Sequence, residues 1–238
     1  MQRLAGAREL LDGPLDARML AGNLRDLARV NRWLGGTDLS WRAVEPFVRV
    51  GKPGVAIRVI DIGTGLADIP RGLLRRAGDR RLKLEMLATD VRPEIVELAR
   101  RASAGVPSLD VRLAAADRID APDRSFEVVH ASLVLHHLDP QRATALLAEM
   151  GRVASRAVIV NDLNRGSIWW IGAWLLAHVA SGNRYTRHDA PLSVRRAYRA
   201  DEMSALGRAA GLRELARHHD RLGYRYAIVF VPAAGSDG

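Results

Sequence analysis

The sequence predicts an α/β fold on a mostly parallel sheet, and three observations carry that prediction. From Val55 onward, short runs rich in β-branched residues alternate with amphipathic helical stretches, the pattern of βαβ units. The first run, VAIRVIDI (55–62), leads directly into a turn holding Gly63 and Gly65. Helix-start signals fall between the runs, because Pro93 follows Asp90 and Pro140 follows Asp139, and proline lacks only a donor that the first helical turn leaves unpaired anyway.

Taken in order, residues 1–50 are helical. Leu20, Leu24, Leu27 and Leu34 lie near one stripe, Gly35 and Gly36 stop it, and Ser40 is placed to cap a second helix. This region is an extension or lid ahead of a domain over 51–232. The expected strands are 55–62, 82–89, 110–115, 126–132 and 156–162. Asp201 then caps a helix through Ala210 that Gly211 ends, and strands near 213–219 and 224–231 follow. The tail AAGSDG (233–238) reads as disordered, and no internal repeat is present.

At 238 residues and 48% hydrophobic composition the chain can bury a sizeable core. Its 36 basic against 27 acidic residues give a net charge of +9, and the only lysines are Lys52 and Lys83, which leaves 34 arginines. Such charge permits attraction to nucleic acid, anionic lipid or acidic metabolites and selects none of them; a solvated basic surface accounts for it equally. With no cysteine there is no disulfide, thiolate metal site or cysteine nucleophile, and no metal site is expected. Charges interrupt every apolar run of MQRLAGARELLDG, so no secretory signal is read and a cytoplasmic location is expected. Residues 166–183 carry no charge with His178 neutral, but their dense apolar part, 168–180, is shorter than the roughly 20 residues a spanning helix needs. A buried or interfacial helix is expected, which leaves peripheral membrane contact open.

In a parallel α/β sheet, ligands bind at the carboxyl ends of the strands, where the first strand runs into a glycine turn and a helix N-terminus. DIGTG (61–65) has that layout. Gly63 and Gly65 allow a sharp turn and close approach of backbone to ligand, although a tight turn alone would need no more. A dinucleotide fingerprint requires a third glycine where Asp68 stands, and a second carboxylate beside Asp61 would repel a pyrophosphate. A cationic cofactor would not be repelled. Asp90, 25 positions after Gly65 at the end of the second strand, is placed to accept hydrogen bonds from both hydroxyls of a ribose, and also to cap the helix begun by Pro93.

With these residues in hand, 55–232 resembles the class I S-adenosylmethionine-dependent methyltransferases. VIDIGTG is similar to their first motif, ATD to their second acidic position, and DRSFEVVHASLVLHHLDP to their fourth-strand segment. The likeness is greatest to the branch acting on ubiquinone and menaquinone precursors and other small metabolites. The resemblance implies a Rossmann-like, seven-stranded, mostly parallel sheet with an antiparallel last strand, and S-adenosylmethionine as cofactor, leaving as S-adenosylhomocysteine. It further implies that Asp61, Ile62, Gly63, Thr64 and Gly65 line the methionine and ribose part, that Asp90 holds the ribose, and that Val91 and Ile119 flank the adenine. Ala116, Asp117 and Ser132 complete that set. The family usually has an Asp two residues after the third strand for the adenine amino group, but counting back from Phe126 gives Ala115 here. Asp117 either substitutes for it or is a solvated loop carboxylate.

Methyl transfer is an in-line displacement, so the protein contributes mainly alignment and exclusion of water, with a base where the acceptor must lose a proton. His136 and His137 follow the fourth strand near the expected mouth of the site, each a candidate base or a packed histidine, with His137 better suited to a pocket wall. Trp170, Trp174 and His178 repeat at i, i+4 and i+8 on one helical face, expected as the wall of an apolar acceptor pocket within a cap insertion at about 164–200, or as core. In NRYTRHDAPLSVRRAYR, Arg184 and Arg187 are candidates for holding an acceptor's anionic group, and Tyr185 or His188 for acting on a phenol; a basic surface is the alternative.

With its helical N-terminal region the chain also resembles actinobacterial-type methyltransferases often encoded beside type III polyketide synthases, which implies a phenolic or polyketide acceptor. DNA is not expected as a substrate, since the chain lacks both a cysteine nucleophile and a [DN]-P-P-[YFW] tetrapeptide after the fourth strand. RNA methylation, a non-catalytic scaffold that binds the cofactor, and a homodimer stay open.

Overall fold

The computed structural model describes residues 1–4, 6–14, 16–51, 54–115 and 118–232. The expected tail at 233–238 and the candidates Ala116 and Asp117 lie outside the described residues.

A strap formed by residues 1–4 and 6–14 precedes α1 (Ala17–Trp33), whose first turn is capped by Asp16 accepting the Met19 N–H at 2.8 Å. Gly35 reverses the chain with φ +76°, a conformation L-residues avoid, so α2 (Gly36–Arg49) starts at once. Ser40 therefore lies inside α2, fully buried, and does not cap it. Trp41, Val44 and Val48 form the stripe that α2 lays on the sheet.

The remaining elements alternate: β1 (Ile57–Ile62), α3 (Asp68–Asp79), β2 (Leu84–Asp90), α4 (Pro93–Ala102), β3 (Leu109–Leu113), β4 (Phe126–Ser132), α5 (Pro140–Val153), β5 (Ala154–Leu163), α6 (Ser167–Ala180), α7 (Arg184–Arg196), α8 (Ala200–Ala209), β6 (Leu212–His219) and β7 (Arg225–Pro232). Both proline signals hold, with Pro93 and Pro140 in the first turns of their helices. Asp201 does not cap α8. Arg199 precedes the helix, and Glu202 accepts the Arg199 N–H at 2.9 Å in the way a third-position carboxylate does in a capping box.

The seven strands form one sheet in the order β3-β2-β1-β4-β5-β7-β6. β1 to β5 pair in parallel, and β7 runs antiparallel to both neighbours. Side-chain alternation divides the core. Ile60, Val129, Val158, Ile228 and Phe230 pack against α5 and α8 on one face, while Val59, Val128, Ile159 and Val229 pack against α2 and α3 on the other. Strand order reverses between β1 and β4, so their carboxyl ends diverge and open a crevice where ligands bind in such sheets. The α6–α7 pair, inserted after β5, packs against the end of that strand through Leu163, Ala173, Val194 and Ala197.

Candidate active site

A cavity of about 1240 Å³ opens at the carboxyl ends of β1, β2 and β4. Asp61, Ile62, Gly63, Thr64, Gly65, Asp90, Val91 and Ser132 all line it, so the structure brings together most of the residues singled out for the cofactor. Ile119 is the exception. It is buried in the core beneath β4 and α5, its N–H held by Glu149 at 2.9 Å, and is absent from the lining. Leu113, Ala114 and Ala115 instead complete the apolar rim opposite Val91.

The loop geometry explains its glycines. Gly63 has φ +67°, and a Cβ there would lie 2.5 Å from the Val134 side chain, so only glycine lets the chain pass. Gly65 also has positive φ, and its N–H donates to Asp90 Oδ2 at 3.1 Å while Oδ1 accepts the Arg92 N–H at 3.2 Å. Asp90 thus ties the ends of β1 and β2 together and lines the cavity. Burial pushes its carboxyl up.

Asp61 is held by a network that sequence reasoning missed. His130 Nδ1 lies 2.6 Å from Asp61 Oδ1, His130 Nε2 lies 2.9 Å from Ser40 Oγ, and Asn161 Nδ2 donates to Ser40 Oγ at 2.8 Å. With Asp61 as the acceptor, the protons run one way: Asn161 to Ser40, Ser40 to Nε2, and Nδ1 to the carboxylate. The signal was available in the strand register, since β1 and β4 pair Asp61 with His130 and put both side chains on one face. Asp68, the first residue of α3, lines the same cavity, and burial pushes its carboxyl up too, with Asn31 Nδ2 donating to it at 3.0 Å. A carboxyl raised in the folded state contributes stability fully below its unfolded value and loses it as pH rises. Asp68→Asn is therefore expected to raise the Tm of the free protein above about pH 4, to match wild type below it, and to weaken a cationic ligand. Thermal melts across pH test this; equal Tm at neutral pH would refute the burial cost.

A second, smaller cavity of about 160 Å³ adjoins the first, sharing Leu11, Leu27, Leu133 and His137 with it. Leu163, Ala173, Leu176, Ala177 and Tyr224 make most of its wall apolar, and Glu9 and His136 form its polar end. His136 is buried; its Nδ1 lies 2.7 Å from Asp162 Oδ1, and its own N–H donates to Asp162 Oδ2 at 3.2 Å. Burial pushes the Asp162 carboxyl up, but the neighbouring His136 and the Leu163 N–H more than offset this and hold it below the usual range. An ionised Asp162 requires the proton on Nδ1, which leaves Nε2, 3.8 Å from Glu9 Oε1, with the free lone pair. His137 stands between the two cavities, its Nδ1 3.3 Å from Asp12.

The strap carries Glu9 and Asp12 into this junction, and α7 clasps it. Asp189 accepts the Leu10 and Leu11 N–H groups at 2.8 and 3.1 Å, Ser193 Oγ donates to Glu9 at 2.9 Å, and Arg196 Nη1 donates to Asp12 at 2.7 Å. Glu9 and Asp12 gave no periodic signal, because they sit on a single 3-10 turn (Leu10–Asp12), where Asp12 accepts the Glu9 N–H at 3.0 Å.

The residues proposed for the acceptor sit elsewhere. Trp170, Trp174 and His178 line neither cavity and face outward, because α6 buries its small residues Ala173 and Ala177 and leaves its bulky stripe uncovered. Arg184 and Arg187 are exposed, with Arg187 Nε spent on the Ser181 carbonyl at 2.7 Å. Tyr185 is buried away from both cavities, its hydroxyl accepting the Asp16 N–H at 3.0 Å, and His188 is half-exposed against Asp189. The arginine that reaches the site from this segment is Arg196.

Residues 59–156 match the family model described as a methyltransferase domain. Uncharacterized methyltransferases of Mycobacterium tuberculosis and Mycobacterium bovis are each 28% identical over 119 residues, 50% of this chain and 45% of theirs. The chain thus spans about half the length of the curated relatives it matches. A SAM-dependent methyltransferase from Aquifex aeolicus has the same fold, with a TM-score of 0.64 and 18% identity over 91% of this chain and 98% of that one. The CurJ carbon methyltransferase gives a TM-score of 0.68 at 15% identity over 94% of this chain and 63% of that one. The CMeT domain of a citrinin polyketide synthase gives 0.64 at 11% identity over 83% and 52%. Residues 59–156 therefore carry the methyltransferase domain match, and the sheet built around them has the fold of the class I methyltransferases.

Proposed function

We propose that this chain is an S-adenosylmethionine-dependent methyltransferase acting on a small apolar acceptor, phenolic or polyketide-like, and that the observation carrying this reading is the pair of joined cavities. The larger one fits the cofactor. Buried Asp61 and half-buried Asp68 suit its cationic end, and Asp90 suits a ribose. Val91 and Leu113 offer apolar faces to a base, and Thr64 Oγ1 lies buried there with no protein partner. The bound cofactor supplies the methyl group and its own leaving group.

The chain's residues do the rest. The apolar cavity aligns the acceptor beside the first cavity and keeps water out, and the strap with α1 acts as a cover over both. His136 Nε2 takes the acceptor's proton, with Asp162 fixing the ring and stabilising the imidazolium that results. Glu9 faces that imidazolium from the strap. The carbon methyltransferase and polyketide synthase domain among the solved structures of like fold support, through fold alone, a polyketide acceptor.

Calorimetry with S-adenosylhomocysteine tests the cofactor assignment. Asp90→Ala is expected to weaken binding by about 1–3 kcal/mol, since ribose hydroxyls lose their acceptor and the Gly65 N–H loses its anchor. Wild-type affinity in that variant would refute the ribose assignment, and no binding by the native chain would refute the whole reading.

A further inference from the structure

α6 has the sequence SIWWIGAWLLAHVA and presents Ile168, Ile171, Trp174, Leu175 and Val179 to the outside, with Val179 78% exposed. No charged side chain interrupts this face, which is unusual for a helix whose other side is already packed. Beside it, α1 exposes an arginine stripe. Arg18, Arg25, Arg29 and Arg32 fall within about 60° of one another around the helix at 100° per residue, and the stripe ends on Trp33, 72% exposed. Asp26, on the same helix, is buried, pairs with Arg29 and accepts hydrogen bonds from Ser181 and Thr186, which leaves Arg18, Arg25 and Arg32 as the outward cations of the stripe. Arg187 adds a cation at the C-terminal end of α6, its Nη2 3.3 Å from the His178 carbonyl.

These two helices flank the same opening. Arg29, Val30 and Trp33 of α1 and Leu176, Ala177 and Ala180 of α6 line the apolar cavity that runs inward to His136. We propose that the α6 face docks on an anionic membrane surface, holding the mouth of this cavity against the acyl boundary. Tryptophan and aliphatic side chains enter the headgroup region, and the arginine stripe meets lipid phosphates, the two contributions that seat an interfacial helix. A second copy of the chain is the poorer occupant, because a two-fold contact through this face would set two +9 molecules together along their arginine stripes. Delivery of a membrane-dissolved acceptor through the mouth rests on the methyltransferase reading; docking itself does not.

The test is co-sedimentation of the full chain with vesicles of phosphatidylcholine alone and of phosphatidylcholine mixed with phosphatidylglycerol. Binding is expected to the mixed vesicles and to be at least about ten-fold weaker without the anionic lipid. Ile171→Glu with Leu175→Glu should reduce it by a similar factor, and Arg18→Glu with Arg25→Glu by more, while both variants keep the wild-type Tm and S-adenosylhomocysteine affinity, since these side chains line neither cavity. No binding to mixed vesicles, equal binding to both kinds, or binding indifferent to the α6 substitutions overturns the proposal. So does a concentration-dependent dimer that the α6 substitutions dissolve. Docking without methyl transfer to any acceptor would sink the enzyme reading and leave the docking intact.

Discussion

Asp162→Asn is expected to slow methyl transfer roughly 10²- to 10⁴-fold while leaving S-adenosylhomocysteine affinity unchanged. Asp162 does not line the cofactor cavity; it acts through His136, whose Nδ1 it holds at 2.7 Å. The amide oxygen can still accept one hydrogen bond, so the ring stays in place. On the proposed mechanism, what is lost is the negative charge beside an imidazole that becomes positive as it takes a proton in a buried, low-dielectric setting. His136→Phe should show the same loss of rate, because no base remains. Labelled cofactor with a panel of phenols and quinone precursors reads the rate, and calorimetry reads the affinity. Retention of full rate by both variants would remove His136 from the chemistry. The pair also has a pH signature. A carboxyl depressed in the folded state contributes stability above its unfolded value, about pH 3.9, and loses it as pH falls through the folded one. The native chain should therefore lose this increment on acidification, and the Asn variant, which never had it, should melt with a shallower pH dependence there.

The lining of the larger cavity was legible because it is written in regular structure. Asp61 through Gly65 and Asp90 are strand ends, and strand ends are where periodicity, glycine and acidic residues coincide in a parallel sheet. All seven strands were legible for the same reason, with ends displaced by at most two residues, as between 156–162 and Ala154–Leu163. The lining of the smaller cavity was not. Trp170 and Trp174 have the spacing of a pocket wall, but spacing names a face and not its direction, and it is the pair of alanines, Ala173 and Ala177, that decides which side of α6 packs. Glu9 and Asp12 were invisible because a single turn is too short to show a period, and hydrogen bonds to α7 aim that turn at the cavities. Ser40 shows the same limit. Its sequence position suits a cap, while its role, a hydrogen bond to His130 on β4, depends on a contact 90 residues away.

Arg225→Ala is expected to destabilise the chain by about 3–5 kcal/mol, because it removes a fully buried cation from among partners arranged for it. Arg225 is the first residue of β7. Its Nη1 donates to Asn31 Oδ1 at 2.6 Å and its Nη2 to Ser132 Oγ at 3.2 Å, so it pins the end of α1 to the end of β4 across the crevice. Asp162, Asp68 and Asp220 lie close enough to favour its charge, although burial still draws its pKa down. Truncation leaves Asn31 Oδ1 and Ser132 Oγ without this donor and opens a void the size of the guanidinium stem, beside three carboxylates that have lost their counter-charge. At about 2–4 °C per kcal/mol for a chain of this size, the Tm should fall by roughly 6–20 °C. Gly36 supplies an independent check, since a Cβ there would collide with Arg225 Nη1 and with Asn31 Oδ1. Gly36→Ala alone should therefore cost about 1–3 kcal/mol. In an Arg225→Met background, where the flexible side chain can retreat from the new methyl, its cost should shrink to a fraction of that. Additive losses in the double variant would mean that Gly36 and Arg225 do not share one packing constraint, and that α1 is held over the site by some other contact.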